Sequence, residues 1–141
     1  MRLRDVMERP QTIDAEASAE EALQTGRSTL VVLAGKSVTG VISEHDLRNI
    51  PEAERPTTKV AAIARVVPSL APDDTVKEAA NVLRSRGVEC VPIVDDGTLI
   101  GVLSVAGLLE LVGRGALHVA ESNGRTVLRE RAPRRVHRDP S

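Results

Sequence analysis

Gly40-Val41-Ile42-Ser43-Glu44-His45-Asp46-Leu47 returns further along the chain as Gly101-Val102-Leu103-Ser104-Val105-Ala106-Gly107-Leu108. Glycine, two apolar residues, serine and a leucine four places past the serine recur in register, which marks an internal repeat. Upstream, Leu3, Val6 and Met7 answer to Val60, Ile63 and Ala64, and Glu21-Ala22 answers to Glu78-Ala79, with a shift four residues smaller. The missing four residues lie between Ala22 and Gly26, compared with Ala79 and Gly87, and amount to about one helical turn.

The second copy carries the fuller helix signal. Thr75-Val76-Lys77-Glu78 has the form of a capping box, Val76, Ala79, Ala80 and Leu83 follow helical spacing, and Gly87 stops the run. The first copy begins alike at Ser18-Ala19-Glu20-Glu21, with Ala19, Ala22 and Leu23 apolar, but Gly26 ends it early. Each helix is followed by two apolar runs: Thr29 to Leu33 and Val38 to Ile42, then Val91 to Val94 and Leu99 to Leu103. Gly35-Lys36 and Asp96-Gly97 separate the runs, so each pair reads as a hairpin. A second helix starts at Ser43 and stops before Pro51; its counterpart runs from Ser104 to Gly113.

With short strands around Gln11 to Asp14 and Ser69 to Ala71, both copies read strand, helix, strand, strand, helix, each after a short leading helix. The fold class is therefore α+β. The expected organisation is repeat 1 over 1–50, a linker over 51–59, repeat 2 over 60–113 and a basic extension over 114–141. Each copy, at about 50 residues, is too small to cover its own sheet, so the two should pack face to face about a pseudo-twofold axis.

Composition narrows the function. The 141 residues contain no Phe, Tyr or Trp, so the core must be aliphatic and no platform exists for stacking single-stranded bases. The net charge of -1 gives no general pull toward nucleic acid or anionic membrane. Cys90 is the single cysteine, which removes intramolecular disulfides and CxxC motifs and points to a reducing, cytoplasmic setting. No stretch approaches the roughly 18 apolar residues of a membrane span. Basic character is concentrated in the extension, where seven arginines from Arg114 onward face Glu121, Glu130 and Asp139. Within it, Leu117 to Glu121 and Arg125 to Arg129 flank Ser122-Asn123-Gly124 as a possible added hairpin. The segment from Arg131 reads as disordered, either a solvated terminus or a contact for an acidic partner.

The chemistry-bearing stretch is Gly40 to Leu47. Gly40 permits close backbone approach, and Ser43 adds a hydroxyl where a helix starts. Asp46 would repel a phosphate, so in a nucleotide site its carboxylate suits a ribose diol. Equally, Ser43-x-x-Asp46 fits a helix cap, and the two roles are compatible. His45 can reach a phosphate or stand as a solvated surface histidine, and Arg48 has similar standing. Cys90, in an apolar run, reads as a small buried hydrophobe. His45, His118 and His137 lack metal-ligand spacing. Ser43, His45 and Asp46 do not make a triad, because neighbours in one helical turn point apart.

The doubled strand-helix-strand-strand-helix unit, ending in Gly-apolar-apolar-Ser-x-x-Asp-Leu, resembles the CBS domain, and two in tandem resemble a Bateman module. The resemblance spans Met1 to Gly113, about four-fifths of the chain. It implies a non-enzymatic module without catalytic cofactor, binding AMP, ADP, ATP, S-adenosylmethionine or an NAD-type ligand. By that resemblance Ser43 and Asp46 take phosphate and ribose, and Thr12, Ile13, Thr29, Leu30 and Val31 line the adenine pocket. It further implies a homodimer and a regulated protein partner. Gly107 stands where the second ribose carboxylate would be, which marks the second cleft as weak or vacant. The competing reading is a ligand-free dimerisation or interaction module, with nucleic-acid association as its variant.

Overall fold

The computed structural model describes residues 1–115 in full and residues 117–122 and 125–130 by their backbone. In repeat 1, β1 (Thr12–Asp14) runs parallel to β2 (Thr29–Ala34), which pairs antiparallel with β3 (Ser37–Ser43). Helix α1 (Ala19–Gln24) links β1 to β2, and α2 (Glu44–Arg48) follows β3. Repeat 2 contains α3 (Val76–Arg86), the antiparallel pair β4 (Cys90–Asp95) and β5 (Thr98–Ser104), and α4 (Val105–Gly113). Strands β6 (Leu117–Ser122) and β7 (Arg125–Glu130) pair antiparallel after it. The expected Asn123-Gly124 turn and the disordered segment from Arg131 lie outside the described residues.

Local chemistry accounts for the helices. Ser18 and Glu21 form a reciprocal capping box on α1, and Thr75 and Glu78 form one on α3. Gly87 closes α3 at φ 63°, a left-handed conformation that costs glycine no Cβ clash. Helix α1 has six residues against eleven in α3, because Gly26, at φ 72°, arrives one turn early. The hairpins agree in detail: Val32 opposite Gly40 is followed by a bulge, and Ile93 opposite Gly101 is followed by the same bulge. The strand expected around Ser69 to Ala71 shrinks to one parallel bridge, Leu70 to Ile93, because Pro68 and Pro72 bracket it and supply no N–H.

The leading segments cross between repeats. Residues 1–8 lie on repeat 2: Leu3 N–H donates to Asp74 O at 2.9 Å and Val76 N–H to Met1 O at 3.0 Å. Glu8 and Val102 exchange two backbone bonds of 2.7 and 3.0 Å. Residues 58–65 lie on repeat 1 in the same manner, with Val60 N–H to Ala17 O at 2.9 Å and Arg65 paired with Val41 at 2.8 and 2.9 Å. Reciprocal exchange of equivalent segments is the mark of a twofold arrangement.

The core follows this exchange. Leu3, fully buried, joins Val76, Ala79, Leu83, Ile93 and Leu103, with Val31 and Val41 entering from repeat 1. Val60, its counterpart, joins Ala19, Ala22, Leu30, Ile42 and Leu47. A buried leucine or valine contributes about 1.5–3 kcal/mol, so each repeat depends on the other's leader for one such anchor.

Candidate functional site

Two cavities open where β3 enters α2 and where β5 enters α4. The first, of about 70 Å³, is lined by Ser43, His45, Asp46 and Arg65 and by Thr29, Val88 and Cys90 among others. Ser43, itself buried, caps α2: its hydroxyl accepts from Asp46 N–H at 3.2 Å, and its own N–H points to Asp46 Oδ2 at a long 3.5 Å. The capping role expected of Ser43 and Asp46 is thus present. It leaves most of the carboxylate's acceptor capacity for other donors.

Arg65 takes up that capacity. Its guanidinium forks onto Asp46, Nε to Oδ2 at 3.1 Å and an Nη to Oδ1 at 2.9 Å. The Asp46 side chain is 14% exposed and that of Arg65 51%. Burial pushes the Asp46 carboxyl up, but hydrogen bonds and charge from Arg65, aided by Ser43, outweigh it and hold the group below its ordinary value. The site therefore presents an ionised carboxylate whose partner is half in water and able to swing away. His45 lines the same cavity with Nε2 3.4 Å from the Asn49 amide, while Arg48 is turned along the helix to Glu44 at 2.7 Å.

Of the residues singled out from the sequence, Thr29, Ser43, His45 and Asp46 meet at this cavity. Thr12 is exposed, Ile13 and Leu30 belong to the smaller core cluster, and Val31, in the larger, reaches the second cavity. Arg65 was not apparent from the sequence motif. The signal that could have found it is one step past the Met7 to Ala64 correspondence, where Glu8 and Arg65 stand at equivalent positions with opposite charge.

The second cavity is larger, about 310 Å³, and includes Glu8, Arg9, Gln11, Arg27, Thr29 and Ser104 in its lining. Ser104 caps α4 by accepting from Gly107 N–H at 2.9 Å. The carboxylate that faces it is Glu8: Ser104 N–H donates to Oε2 at 3.1 Å, and the hydroxyl lies 3.0 Å from both oxygens.

Cys90 borders both cavities but is buried, and burial pushes its thiol up to about 11 against a weaker pull from the Thr29 hydroxyl. Only about one part in a thousand is then thiolate at pH 8. A disulfide reagent such as Ellman's is expected to react at least a hundredfold more slowly with folded protein than with free cysteine at that pH. Equal rates would contradict the buried, inert assignment. Among the described residues no cluster of His, Cys, Asp and Glu is placed to hold a metal ion, and no helix is long and apolar enough to cross a membrane.

One family model matches most of the chain. The CBS domain family model matches residues 3–52 and 60–114. Among solved structures, a CBS domain pair in complex with 5-methylthioadenosine and S-adenosyl-L-methionine superposes with TM-score 0.69 at 20% identity, covering 82% of this chain and 98% of that one. Homoserine O-acetyltransferase of Methanohalophilus mahii is 28% identical over 101 residues, 71% of this chain and 21% of that protein. The A-adding tRNA nucleotidyltransferase of Aquifex aeolicus is 29% identical over 119 residues, 79% of this chain and 14% of that protein. The chain thus spans only about a fifth or less of the curated relatives it matches.

Proposed function

The chain belongs to the CBS domain family as a tandem pair, and from that premise we propose that it is a regulatory, non-catalytic module which binds an adenosine-containing ligand in the Ser43–Asp46 cavity. The observation that carries the reading is the ionised Asp46 carboxylate, held at a cavity wall by a capped helix and bound, apart from a long contact to the Ser43 N–H, by a side chain that solvent can replace. A ribose diol offers the two donors it needs. Charge-assisted hydrogen bonds contribute about 1.5–3 kcal/mol each, whereas an ion pair with a half-exposed arginine contributes about 0–1 kcal/mol, so the exchange favours the ligand.

Arg65 gives the exchange a consequence. Released from Asp46, its guanidinium can follow the ligand's phosphate, carboxylate or other anionic group, widening a cavity that is too small for adenosine while the pair is closed. Because Arg65 sits in the leader of repeat 2 and is bonded through its backbone to β3, its movement biases the angle between repeats, which a regulated partner can read. AMP, ADP, ATP, S-adenosylmethionine and NAD-type ligands share the required diol. The complex of the similar CBS pair with 5-methylthioadenosine and S-adenosyl-L-methionine supports this class. A homodimer is part of the proposal, supported by Leu109, which stands 63% exposed on α4. So is a cytoplasmic setting, supported by the lone cysteine, which leaves no intramolecular disulfide to form.

Calorimetric titration with AMP, ADP, ATP, S-adenosylmethionine and NADH at fixed salt tests the reading. At least one should bind saturably. Silence across the panel from folded protein overturns the sensor and leaves a module that works through protein contacts alone.

A further inference from the structure

The two cavities are equivalent by the repeat, yet Asp46 of the first has Gly107 as its counterpart in the second. The space is not empty. A Cβ at Gly107 would overlap Glu8 Oε2, so the Glu8 carboxylate fills the volume that a longer side chain at position 107 would need. It also contacts the same kind of partner: Ser43 N–H points to the Asp46 carboxylate, and Ser104 N–H to that of Glu8, at 3.5 and 3.1 Å. Glu8 reaches this place because residues 1–8 cross to repeat 2, where Glu8 pairs through its backbone with Val102 as Arg65 pairs with Val41.

We propose that Glu8 is the diol-accepting carboxylate of the second cavity, supplied across the repeat boundary, and that this cavity is a second site for a ribose-bearing anionic ligand. The inference rests on the proposed diol role of Asp46. The two sites differ in a way that follows from the residues. In the first cavity a carboxylate on the helix faces an arginine from the crossing leader, and the pair closes the space to about 70 Å³. In the second the crossing leader brings the carboxylate itself, no arginine among the described residues is bonded to it, and the cavity stands at about 310 Å³. A carboxylate offers about four lone-pair positions, and the N–H and hydroxyl of Ser104 occupy only part of them. Exposed Arg9 and Arg27, which share the lining with Glu89, supply positive charge for the ligand's anionic group, and Gln11 adds an amide. The second site is therefore open before the ligand arrives, while the first must break an ion pair.

The test isolates the second cavity in full-length Asp46→Ala protein titrated with ATP and S-adenosylmethionine. One of these probes should bind at one equivalent. Glu8→Gln, which keeps an acceptor for Ser104, should weaken that binding at least tenfold with the unfolding temperature unchanged, a split that a purely structural Glu8 would not produce. Glu8→Ala combined with Gly107→Asp, which returns a carboxylate from the helix side, should recover affinity relative to Glu8→Ala. Binding to wild type but not to Asp46→Ala overturns the second site and leaves the first standing. Equal affinity in Glu8→Gln overturns the role of Glu8, and silence in wild type as well overturns both sites.

Discussion

In Asp46→Ala, the affinity of the first cavity for its adenosine ligand is expected to fall about a hundredfold while the protein stays folded. Two hydrogen bonds to an ionised carboxylate, about 1.5–3 kcal/mol each, less the 0–1 kcal/mol that wild type gives up when Arg65 lets go, leave about 2–6 kcal/mol, and a factor of a hundred, about 2.7 kcal/mol, lies near the lower end of that range. The fold is spared because Ser43 keeps its hydroxyl on the N–H of residue 46, the capping bond that is lost is the long one, 3.5 Å, and the half-exposed Arg65 pair that goes with it contributes about 0–1 kcal/mol. Loss of that reciprocal contact belongs at the low end of capping effects, about 0.5 kcal/mol. Calorimetry beside a thermal melt separates the two quantities. Unchanged affinity at the first site would remove Asp46 from it.

Gly40→Ala is expected to cost about 2–6 kcal/mol, whereas Gly101→Ala at the equivalent position costs about 1 kcal/mol. At Gly40 the added Cβ meets the carbonyl oxygen of Arg65 at 2.5 Å and its carbon at 3.0 Å. Those atoms cannot rotate away, since Arg65 and Val41 are tied by two backbone bonds of 2.8 and 2.9 Å. Relief requires the leader to lift off β3, which loses those bonds at about 0.5–1.5 kcal/mol each and adds the overpacking cost of about 1–3 kcal/mol. At Gly101 the new methyl meets Met7 Sδ at 2.7 Å, Cγ at 2.9 Å and Cβ at 3.1 Å, and an unbranched side chain can turn its sulfur and Cγ aside, leaving a few tenths of an ångström to be given at Cβ. The pair of variants should differ in unfolding temperature by at least about 3 °C. Equal melting would mean that the Arg65 crossing is looser than its geometry indicates.

Much of the fold was legible because its signals are local. Ser18 with Glu21 and Thr75 with Glu78 are complete within one helical turn, and Gly26 and Gly87 end their helices for reasons of φ alone. The bracketed strand at Leu70 was overestimated because apolar residues were weighed without the two prolines beside them. What the sequence did not disclose is long-range. Leu3 and Val60 were recognisable as equivalent and apolar, but nothing in a hydrophobic pattern says which repeat they will cover. The site shows the same division. Ser43 and Asp46 are three residues apart, whereas Arg65 comes from 19 residues away and Glu8 from 96 residues away from Ser104. Gly107 was read as a missing carboxylate, although the charge that answers it was already present one position after Met7.

The central claim is that an adenosine ligand occupies the Ser43–Asp46 cavity. A chain without aromatic side chains and rich in Ile, Leu and Val suits methyl NMR, and the most direct measurement is a titration of those methyls with whichever panel member binds. The account predicts saturating shifts at Val41, Ile42 and Val88, which border that cavity, in wild type and their loss in Asp46→Ala. Saturating binding that leaves those three methyls unmoved, or moves them equally in Asp46→Ala, would contradict it.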